Sequence, residues 1–338
     1  MKNLEQYTGH PLQVRGVEEY RLCSGKGDGM HLLQVRNGSG LEFTVSPDRC
    51  ADLVRVSLHG VNFSFMGPCG YVAPQYYDSK GEGFLKSFTA GFLTTCGLTA
   101  VGDPCTDAGK ELPLHGSIGN TPAEQYYHCV ESREGQEEIL IGATIRQAEI
   151  FGERLEMKRE WRCPIGENTL YLTDIIRNYG DRVTPHMILY HMNMGYPILS
   201  EEASLYIPSE TVAPRDARAA EGLNAWNVIL PPQPQFKEQC YYHTFRRDEE
   251  AYAAIFNPAV QKGVKIVFHP EELDCFTQWK MMGEHDYVLG LEPGNCTPDG
   301  RDVLRREGRL AFLEPDAEAA TAVEFCFVDD KTCFEEEF

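Results

Sequence analysis

Residues 190–197 read YHMNMGYP and combine a histidine and an asparagine with a glycine and a proline in one short apolar stretch. His191 and Asn193 are two residues apart, so their side chains point to the same side of an extended strand. Gly195 and Pro197 then end the strand, as such residues do where the backbone bends close to a ligand. Two interpretations stay open: a polar edge that binds a ligand, or a buried and mutually satisfied pair.

Two further side chains are candidates for proton transfer. His115 lies in LPLHGSIGN, where a preceding proline and two following glycines favour an open loop that can approach a ligand. Glu292 follows the apolar segment YVLGL and precedes a Pro-Gly turn. Partial burial there would raise the pKa of its carboxyl toward that of a useful general base. A bystander loop histidine and an exposed turn glutamate are the ordinary alternatives.

Cationic and aromatic side chains beside strand ends are candidate binding groups. Arg49 in SPDRCADL and Lys280 in TQWKMM can donate hydrogen bonds to ligand hydroxyls, and Trp279 can stack on a ring. His243 in YYHTF shares a strand face with Tyr241 or packs between aromatic rings. Solvated cations and packed core side chains are the alternatives.

Several classes of site have no motif in this chain. There is no Gly-x-Ser-x-Gly elbow, Walker loop or dinucleotide fingerprint. The twelve cysteines form no Cys-x-x-Cys pair, and the histidines show no metal-ligand spacing. We therefore expect no bound metal and no cofactor.

Alternation of period two dominates the elements that must position these groups. In RLEMKREWRC, the residues Leu155, Met157, Arg159, Trp161 and Cys163 fall on one side, which predicts a half-buried antiparallel strand. Further predicted strands cover LEFTV, ADLVRVSLHG, EILIGATIRQA, TLYLTDIIRNYG, HMILYHMN, CYYHTF, AYAAIF, GVKIVFHP, CFTQWKMM, DYVLGLEP and TAVEFCFVDD. Helical periodicity is almost absent. Many strands separated by turn clusters predict a large all-β sandwich.

No composition break or internal repeat divides the chain, so we expect one domain over residues 1–338. Residues 1–38 or so would form an N-terminal extension with strands, and residues 330–338 a solvated acidic tail. Residues 67–120 and 209–238 are rich in glycine, aromatic and polar residues and do not alternate clearly. Long loops of this kind carry function in β-sandwiches.

The chain is strongly acidic, with 31 Lys plus Arg against 51 Asp plus Glu and a net charge of -20. Such a charge disfavours nucleic acid, anionic membranes and polyanionic substrates as partners. The N-terminal sequence has no apolar run typical of a secretory signal, and no segment approaches the roughly 20 apolar residues that span a bilayer. We expect a cytoplasmic protein, and the sequence is compatible with a homodimer.

Four motifs occur in a distinctive order: GFLTTCGL, LPLHGSIGNTPA, LYHMNMGYP and GLEPGN. This order resembles the aldose 1-epimerase (galactose mutarotase-like) superfamily, in particular its less characterised aldose-1-epimerase-like branch. The resemblance extends from about residue 40 to about residue 330 and so covers most of the chain.

The resemblance implies a large antiparallel β-supersandwich with a sugar site on its concave face and an activity that interconverts the α and β anomers of an aldose. It implies that His115 binds the substrate, that His191 is the general acid on the ring oxygen, and that Glu292 is the general base on the anomeric hydroxyl. Arg49 would contact a sugar hydroxyl.

Two departures concern the identity of the sugar. Typical galactose mutarotases continue after the acid histidine with Tyr-Phe-Asn-Leu, whereas Met192, Asn193 and Met194 follow here. The aspartate that holds sugar hydroxyls in those enzymes has no clear counterpart, and His243 lies in roughly that region. The resemblance therefore does not imply galactose or glucose as substrate.

The expected function is a carbohydrate-active isomerase with a monosaccharide substrate, in which Asn193 holds His191 or the sugar. A non-catalytic carbohydrate-binding or regulatory protein on the same scaffold is the alternative. A third hypothesis, glycoside hydrolysis, needs a second carboxyl group beside Glu292, for which Asp103, Asp174 and Asp274 are candidates.

Overall fold

The computed structural model describes residues 6–336 and consists mainly of antiparallel β-structure, with 48% strand and 11% helix. In chain order the first strands are β1 (Gly16–Arg21), β2 (His31–Arg36), β3 (Leu41–Ser46), β4 (Asp52–Leu58), β5 (Val61–Asn62), β6 (Phe65–Met66), β7 (Ala90–Gly91), β8 (Leu93–Leu98), β9 (Cys105–Asp107), β10 (Lys110–Leu112), β11 (Gln125–Arg133), β12 (Gln136–Ala148) and β13 (Arg154–Pro164). They are followed by β14 (Thr169–Asn178), β15 (Thr184–Pro185), β16 (Met187–Met194), β17 (Ser204–Tyr206), β18 (Thr211–Pro214), β19 (Gln239–Thr244), β20 (Ala251–Asn257), β21 (Lys262–Phe268), β22 (Cys275–Met282), β23 (Tyr287–Gly294), β24 (Phe312–Leu313) and β25 (Glu318–Val328). Three short α-helices are α1 (Ala217–Glu221), α2 (Arg301–Arg306) and α3 (Lys331–Glu336).

Three sheets form the body of the molecule. An eight-stranded sheet has the order β11-β12-β13-β14-β25-β21-β20-β17, and a six-stranded sheet has the order β18-β19-β22-β23-β16-β8. The N-terminal strands β1 to β5 form a five-stranded meander. Residues of all three sheets contribute to one large apolar cluster, so the two larger sheets pack as a sandwich.

The alternating patterns predict the inward faces correctly. In β13, Leu155, Met157, Arg159, Trp161 and Cys163 are all buried, as expected. The other segments predicted as strands are also strands, with ends that differ by a few residues at most. The prediction of a large all-β supersandwich is confirmed, whereas a single domain stays a prediction.

Of the 25 strands within residues 6–336, 13 were not predicted individually, and two of the longer ones, β8 and β11, show the physical reason. Strand β8 lies inside the segment 67–120 that the sequence suggests is a loop, and all six of its residues are buried, so it shows no alternation. Strand β11 is an edge strand whose residues are almost all exposed, which removes the alternation in the opposite way. The short apolar run of β2 was not recognised as a strand.

The C-terminal segment also differs from expectation. Residues 331–336 form helix α3, and Phe334 is 3% exposed within a small cluster that contains Ala254, Phe256 and Val328. The Phe334 ring lies 4.9 Å from the ring of Phe256. The prediction of a solvated tail is therefore wrong at Phe334, whose buried side chain anchors helix α3. Residues 337 and 338 lie outside the described residues.

A buried charged network lies between the two large sheets. The guanidinium of Arg159 donates to both carboxyl oxygens of Asp174, at 2.9 and 2.6 Å, and to a carboxyl oxygen of Asp52. It also donates to the Thr95 hydroxyl at 2.8 Å, and the Tyr190 hydroxyl donates to Asp174 at 2.6 Å. The network joins strands of both sheets, including β8 and β16.

In the described part of the chain, no helix is long and apolar enough to cross a lipid bilayer.

Candidate active site

Strand pairing brings His191 and Glu292 together. In the register of β16 with β23, Met192 lies opposite Leu291, so His191 and Glu292 are neighbours on one face of the six-stranded sheet. The next strand, β22, places Thr277 opposite Glu292 and Trp279 opposite Gly290. This face therefore carries polar and aromatic groups from three adjacent strands.

These side chains line a cavity of about 230 Å³, which loops from the segments 81–115 and 215–238 complete. Its polar and charged lining residues are Glu82, Asp103, His115, His191, Arg215, Glu238, Thr277 and Glu292. Its aromatic walls are Phe84, Phe88 and Trp279.

The imidazole of His191 and the carboxyl of Glu292 are two buried polar groups that line the cavity. Their Nε2 and Oε1 atoms are 3.2 Å apart, and the two residues are only 5% and 2% exposed. Neither His191 Nδ1 nor Glu292 Oε1 has a hydrogen-bond partner of suitable geometry within residues 6–336. Burial lowers the pKa of His191 to about 4 and raises that of Glu292 well above its ordinary range. Because burial shifts the pKa values of both groups and the two lie close together, the pair is a candidate for acid–base chemistry.

Gly290 provides the space that the Glu292 carboxyl occupies. A Cβ at position 290 would lie 2.2 Å from Glu292 Oε1 and 2.9 Å from Trp279 Cβ. Both contacts are shorter than van der Waals distance, so a larger residue would displace the carboxyl or the indole. The glycine is required here by a close approach.

His115 is held in a defined orientation by its backbone. It adopts a left-handed conformation with φ of 58°, its N–H donates to the Gly102 carbonyl at 2.9 Å, and its carbonyl accepts from the Gly97 N–H at 3.1 Å. The Gly102 N–H also points at His115 Nδ1, 3.4 Å away. Burial lowers the pKa of His115 to about 3, so the ring is neutral at pH 7. With Nδ1 as acceptor, the proton lies on Nε2, which makes His115 a hydrogen-bond donor.

Aromatic rings fix the positions of both imidazoles. The ring centroid of His191 lies 5.2 Å from those of Phe88 and Trp279, each with an edge-on geometry, and 5.7 Å from that of His115. The Trp279 indole N–H donates to Glu238 Oε2 at 2.7 Å. The indole is thus held by a ring contact with His191 and by the hydrogen bond of its N–H.

Four charged residues of the cavity were not singled out from the sequence as binding groups: Glu82, Asp103, Arg215 and Glu238. The sequence suggests Asp103 only as a partner of Glu292 in hydrolysis. All four lie in the segments 67–120 and 209–238, which were recognised as functional loops only as a whole. Irregular backbone gives no periodicity that indicates which side chain points inward. For Glu238, a signal existed, because it directly precedes strand β19 of the site sheet.

Arg49, predicted to contact a hydroxyl, lies elsewhere. Its guanidinium is buried and donates to three backbone carbonyls, at 2.6, 2.9 and 3.1 Å. The acceptors are the carbonyls of Gly119, Val72 and Ser87. With these bonds Arg49 ties three loops together and is not among the residues that line the cavity. The geometry does not support the predicted contact.

Lys280 and His243 also point away from the cavity. Lys280 follows Trp279 on β22, so its side chain emerges on the opposite face, where Nζ donates to the Ala225 carbonyl at 2.8 Å. The His243 ring lies between the Ser209 hydroxyl, at 2.9 Å, and the Gln278 amide oxygen, at 3.1 Å. These two predicted contacts are wrong for this cavity, since each side chain is satisfied behind the sheet.

Asn193 lies on the same strand face as His191, as expected, but it is fully buried and does not line the cavity. Its amide nitrogen donates to the backbone carbonyl of His191 at 2.8 Å. Of the two roles considered for Asn193, the geometry supports holding His191 and not contact with a ligand.

The three aspartates considered as partners of Glu292 lie in different places. Asp103 lines the cavity, Asp174 belongs to the buried network, and Asp274 pairs with Arg247 at the surface at 2.6 Å. Within residues 6–336, no group of three or more His, Cys, Asp or Glu side chains is arranged to hold a metal ion.

Solved structures of similar fold were found. A Klebsiella pneumoniae protein that is named provisionally as an aldose 1-epimerase superposes with a TM-score of 0.90 at 29% identity, over 95% of this chain and 85% of that chain. A galactose mutarotase-like protein from Clostridium acetobutylicum gives a TM-score of 0.67 at 13% identity, over 94% and 99% of the two chains. A galactose 1-epimerase from Lactobacillus acidophilus gives 0.62 at 13% identity, over 94% and 99%. The resemblance to this superfamily is confirmed, and the two matches at 13% identity indicate the fold alone.

Comparison with curated proteins found no match. Residues 27–326 match a family described as a domain of unknown function, DUF4432. With this match over most of its length and a galactose mutarotase-like fold, the chain belongs to the DUF4432 family.

Proposed function

We propose that this protein is an isomerase that interconverts the α and β anomers of a monosaccharide. One observation carries the proposal: the Glu292 carboxyl and the His191 imidazole lie 3.2 Å apart at the base of a cavity, and each presents a buried polar atom that no other group satisfies. The name of the Klebsiella relative, at 29% identity, agrees with this assignment.

The proposed reaction transfers two protons and changes no oxidation state. The base removes the proton of the anomeric hydroxyl while the bond between C1 and the ring oxygen breaks. The electrons of that bond pass to the ring oxygen, which takes a proton from the acid, and an open-chain aldehyde results. Rotation about C1–C2 and closure in the reverse sense give the other anomer. Each well-placed proton-transfer group contributes roughly 10²- to 10⁴-fold.

We assign Glu292 as the base, His191 as the acid and His115 as a donor to a sugar oxygen. Burial alone favours the uncharged form of each group, with the proton on Glu292. A sugar hydroxyl that donates to Glu292 would favour its carboxylate and leave the proton for His191. Of the nearby charges, the Glu238 carboxylate raises the pKa of Glu292, and Arg215 opposes it with a smaller effect. Because the two groups exchange roles on reclosure, either anomer can enter the reaction.

Trp279 would form the apolar wall on which one face of the ring packs. Its ring lies edge-on to His191, at 5.2 Å between centroids, and it is held by Glu238. Aromatic walls with a few fixed polar groups are typical of monosaccharide sites.

The test compares anomer exchange by the wild-type protein with that by Glu292→Gln. Exchange is followed by proton NMR on a panel of aldoses after dissolution of one pure anomer. We expect the substitution to reduce the catalysed rate by about 10²-fold or more, since amide replaces carboxyl and cannot accept the proton. Glu284→Gln is the matched control, because Glu284 is an exposed turn residue between two strands of the same sheet.

Two results would contradict the proposal. One is a folded Glu292→Gln variant that retains the wild-type rate. The other is a wild-type protein that accelerates exchange of no aldose in the panel. If calorimetry then showed saturable sugar binding without exchange, the protein would be a carbohydrate-binding protein on this scaffold.

A further inference from the structure

Four charged side chains surround the entrance to the cavity, and two of them neutralise each other. The Arg215 guanidinium donates to Glu238 Oε1 at 2.9 Å, while Glu238 Oε2 accepts from the Trp279 indole at 2.7 Å. Both oxygens of Glu238 are therefore engaged, and the positive charge of Arg215 faces a carboxylate that holds it. This pair contributes no net charge to the entrance.

The other two charges are negative and form no ion pair within the described residues. Asp103 and Glu82 both line the cavity, and no side-chain hydrogen bond or ion pair involves either of them in the described part of the chain. Burial raises the pKa of Asp103, and the nearby carboxylates of Asp299, Glu238 and Glu82 raise it further, against the opposing charge of Arg215. The cavity thus has more carboxyl groups than cations.

A ligand also meets buried polar atoms at the base of this cavity. Glu292 Oε1 lacks a hydrogen-bond partner although the residue is 2% exposed. In its ionised form this carboxyl accepts hydrogen bonds only, so a sugar hydroxyl or an ammonium group can complete the site and a carboxylate cannot.

The side chains that could have balanced an anion are engaged elsewhere. Lys280 Nζ donates to the Ala225 carbonyl at 2.8 Å behind the sheet, and Arg49 is enclosed by three backbone carbonyls. Neither lines the cavity, so Arg215 is the one cation of fixed charge among the lining residues, all of which lie in the described part of the chain.

We propose that the cavity entrance selects by charge: it admits uncharged and amino-bearing monosaccharides and excludes sugar phosphates and uronates. Asp103 and Glu82 are the residues that determine this specificity. The inference rests on the proposed function, since it concerns the same cavity, but it makes a separate claim about the substrate. A unit negative charge about 8 Å from a carboxylate, at an effective dielectric constant of about 40, corresponds to an effect of about five-fold for each carboxylate.

The experiment uses a series of sugars that differ in charge: glucose, glucosamine, glucuronate and glucose 6-phosphate, with the corresponding galactose series. The value of kcat/KM for anomer exchange is measured for each at low ionic strength. We expect the kcat/KM values of glucosamine and glucose to exceed those of glucuronate and glucose 6-phosphate by at least about ten-fold. The difference should be smaller in about 0.5 M salt, which screens the charges.

Asp103→Asn and Glu82→Gln should each raise the ratio of kcat/KM for the anionic sugar to kcat/KM for the uncharged sugar by about five-fold. Asp181→Asn is the matched control, because it changes the net charge equally at a side chain that is 87% exposed and does not line the cavity. It should leave the ratio unchanged. A uronate or phosphate that reacts as fast as its uncharged parent would overturn the inference, and so would equal ratios in all variants.

Failure of the proposed function gives a different result. If no sugar is exchanged, calorimetric binding of the same series still tests the charge selection: uncharged sugars that bind more tightly than uronates support it, and the reverse order overturns it. If no sugar of the series either binds or reacts, both the proposed function and this inference are wrong.

Discussion

Arg159 is the cation of the buried network between the sheets, and its replacement by methionine should destabilise the fold strongly. The substitution keeps an unbranched side chain of similar length but removes five hydrogen bonds to oxygen atoms, two to Asp174 and one each to Asp52, Thr95 and the Cys50 carbonyl. Both carboxylates would then lie in the core without a cation. Removing one partner of a buried charged pair costs about 3–5 kcal/mol.

The loss is measured as the free energy of unfolding in urea at pH 7.5. With a denaturant slope of about 3 kcal/mol per molar, the midpoint should fall by about 1–1.7 M. The control is Lys158→Met, which removes a cation from the neighbouring, exposed position on the other face of β13. The free energy of unfolding of this control should stay within about 0.5 kcal/mol of the wild-type value. The two variants differ only in which face of one strand loses its charge.

The pH dependence of this loss has a defined sign. Burial raises the pKa of Asp52, and the charge of Arg159 opposes that shift. Without Arg159 the pKa of Asp52 in the folded protein rises further, so the folded variant binds more protons than its unfolded chain and loses stability as pH rises. The difference between variant and wild type should therefore shrink from pH 7.5 toward pH 5. Adding Asp174→Asn to the variant should restore part of the stability.

Two results would refute this reasoning. A loss below about 1 kcal/mol at pH 7.5 would mean that the carboxylates are not confined without a cation, for example because water enters the network. A loss that grows on acidification would mean that the protonation of Asp52 has the opposite linkage.

The remaining predictions concern the cavity. Gly290→Ala should leave the protein folded but lower the rate of anomer exchange by about 100-fold, because the new Cβ displaces the Glu292 carboxyl by about an ångström. The control is Gly9→Ala, where a Cβ meets nothing within 4 Å. An unchanged rate for Gly290→Ala, measured by NMR, would contradict the assigned contact. Nitrogen-15 NMR should find the His115 ring neutral and protonated on Nε2 between roughly pH 5 and pH 8, because burial lowers its pKa to about 3. Titration of this ring near the ordinary pKa of about 6.5 would contradict the geometry.

The fold was predictable because the two faces of most strands meet different environments. Leu155 to Cys163 alternate between core and solvent, and the structure follows that alternation residue by residue. Prediction failed where both faces share one environment. Strand β8 is buried on both faces, whereas almost every residue of β11 is exposed, so neither strand shows a periodic alternation.

The candidate site was only partly predictable from the sequence. His115, His191, Glu292 and Trp279 line one cavity, and their roles stay predictions. Lys280 was predicted beside Trp279, yet consecutive residues of a strand point to opposite faces, so strand geometry alone argues against placing both in one pocket.

The partners of a side chain were not predictable at all. Arg49 has three backbone carbonyls around it that come from loops 23 to 70 residues away in sequence. The same limit applies to Arg215 and Glu238, whose loops have no periodicity. Whether a cation serves a ligand or the backbone depends on such distant contacts, which local sequence patterns do not encode.

Strand β16 separates two polar systems by the thickness of one backbone. Tyr190 donates to Asp174 between the sheets, while His191, the next residue, faces the cavity beside Glu292. Because successive side chains alternate, inserting or deleting one residue in this strand would exchange the two environments at once. The phenol would enter the cavity, and the imidazole would meet the buried carboxylate. The register of this strand therefore couples the integrity of the core to the polar lining of the cavity.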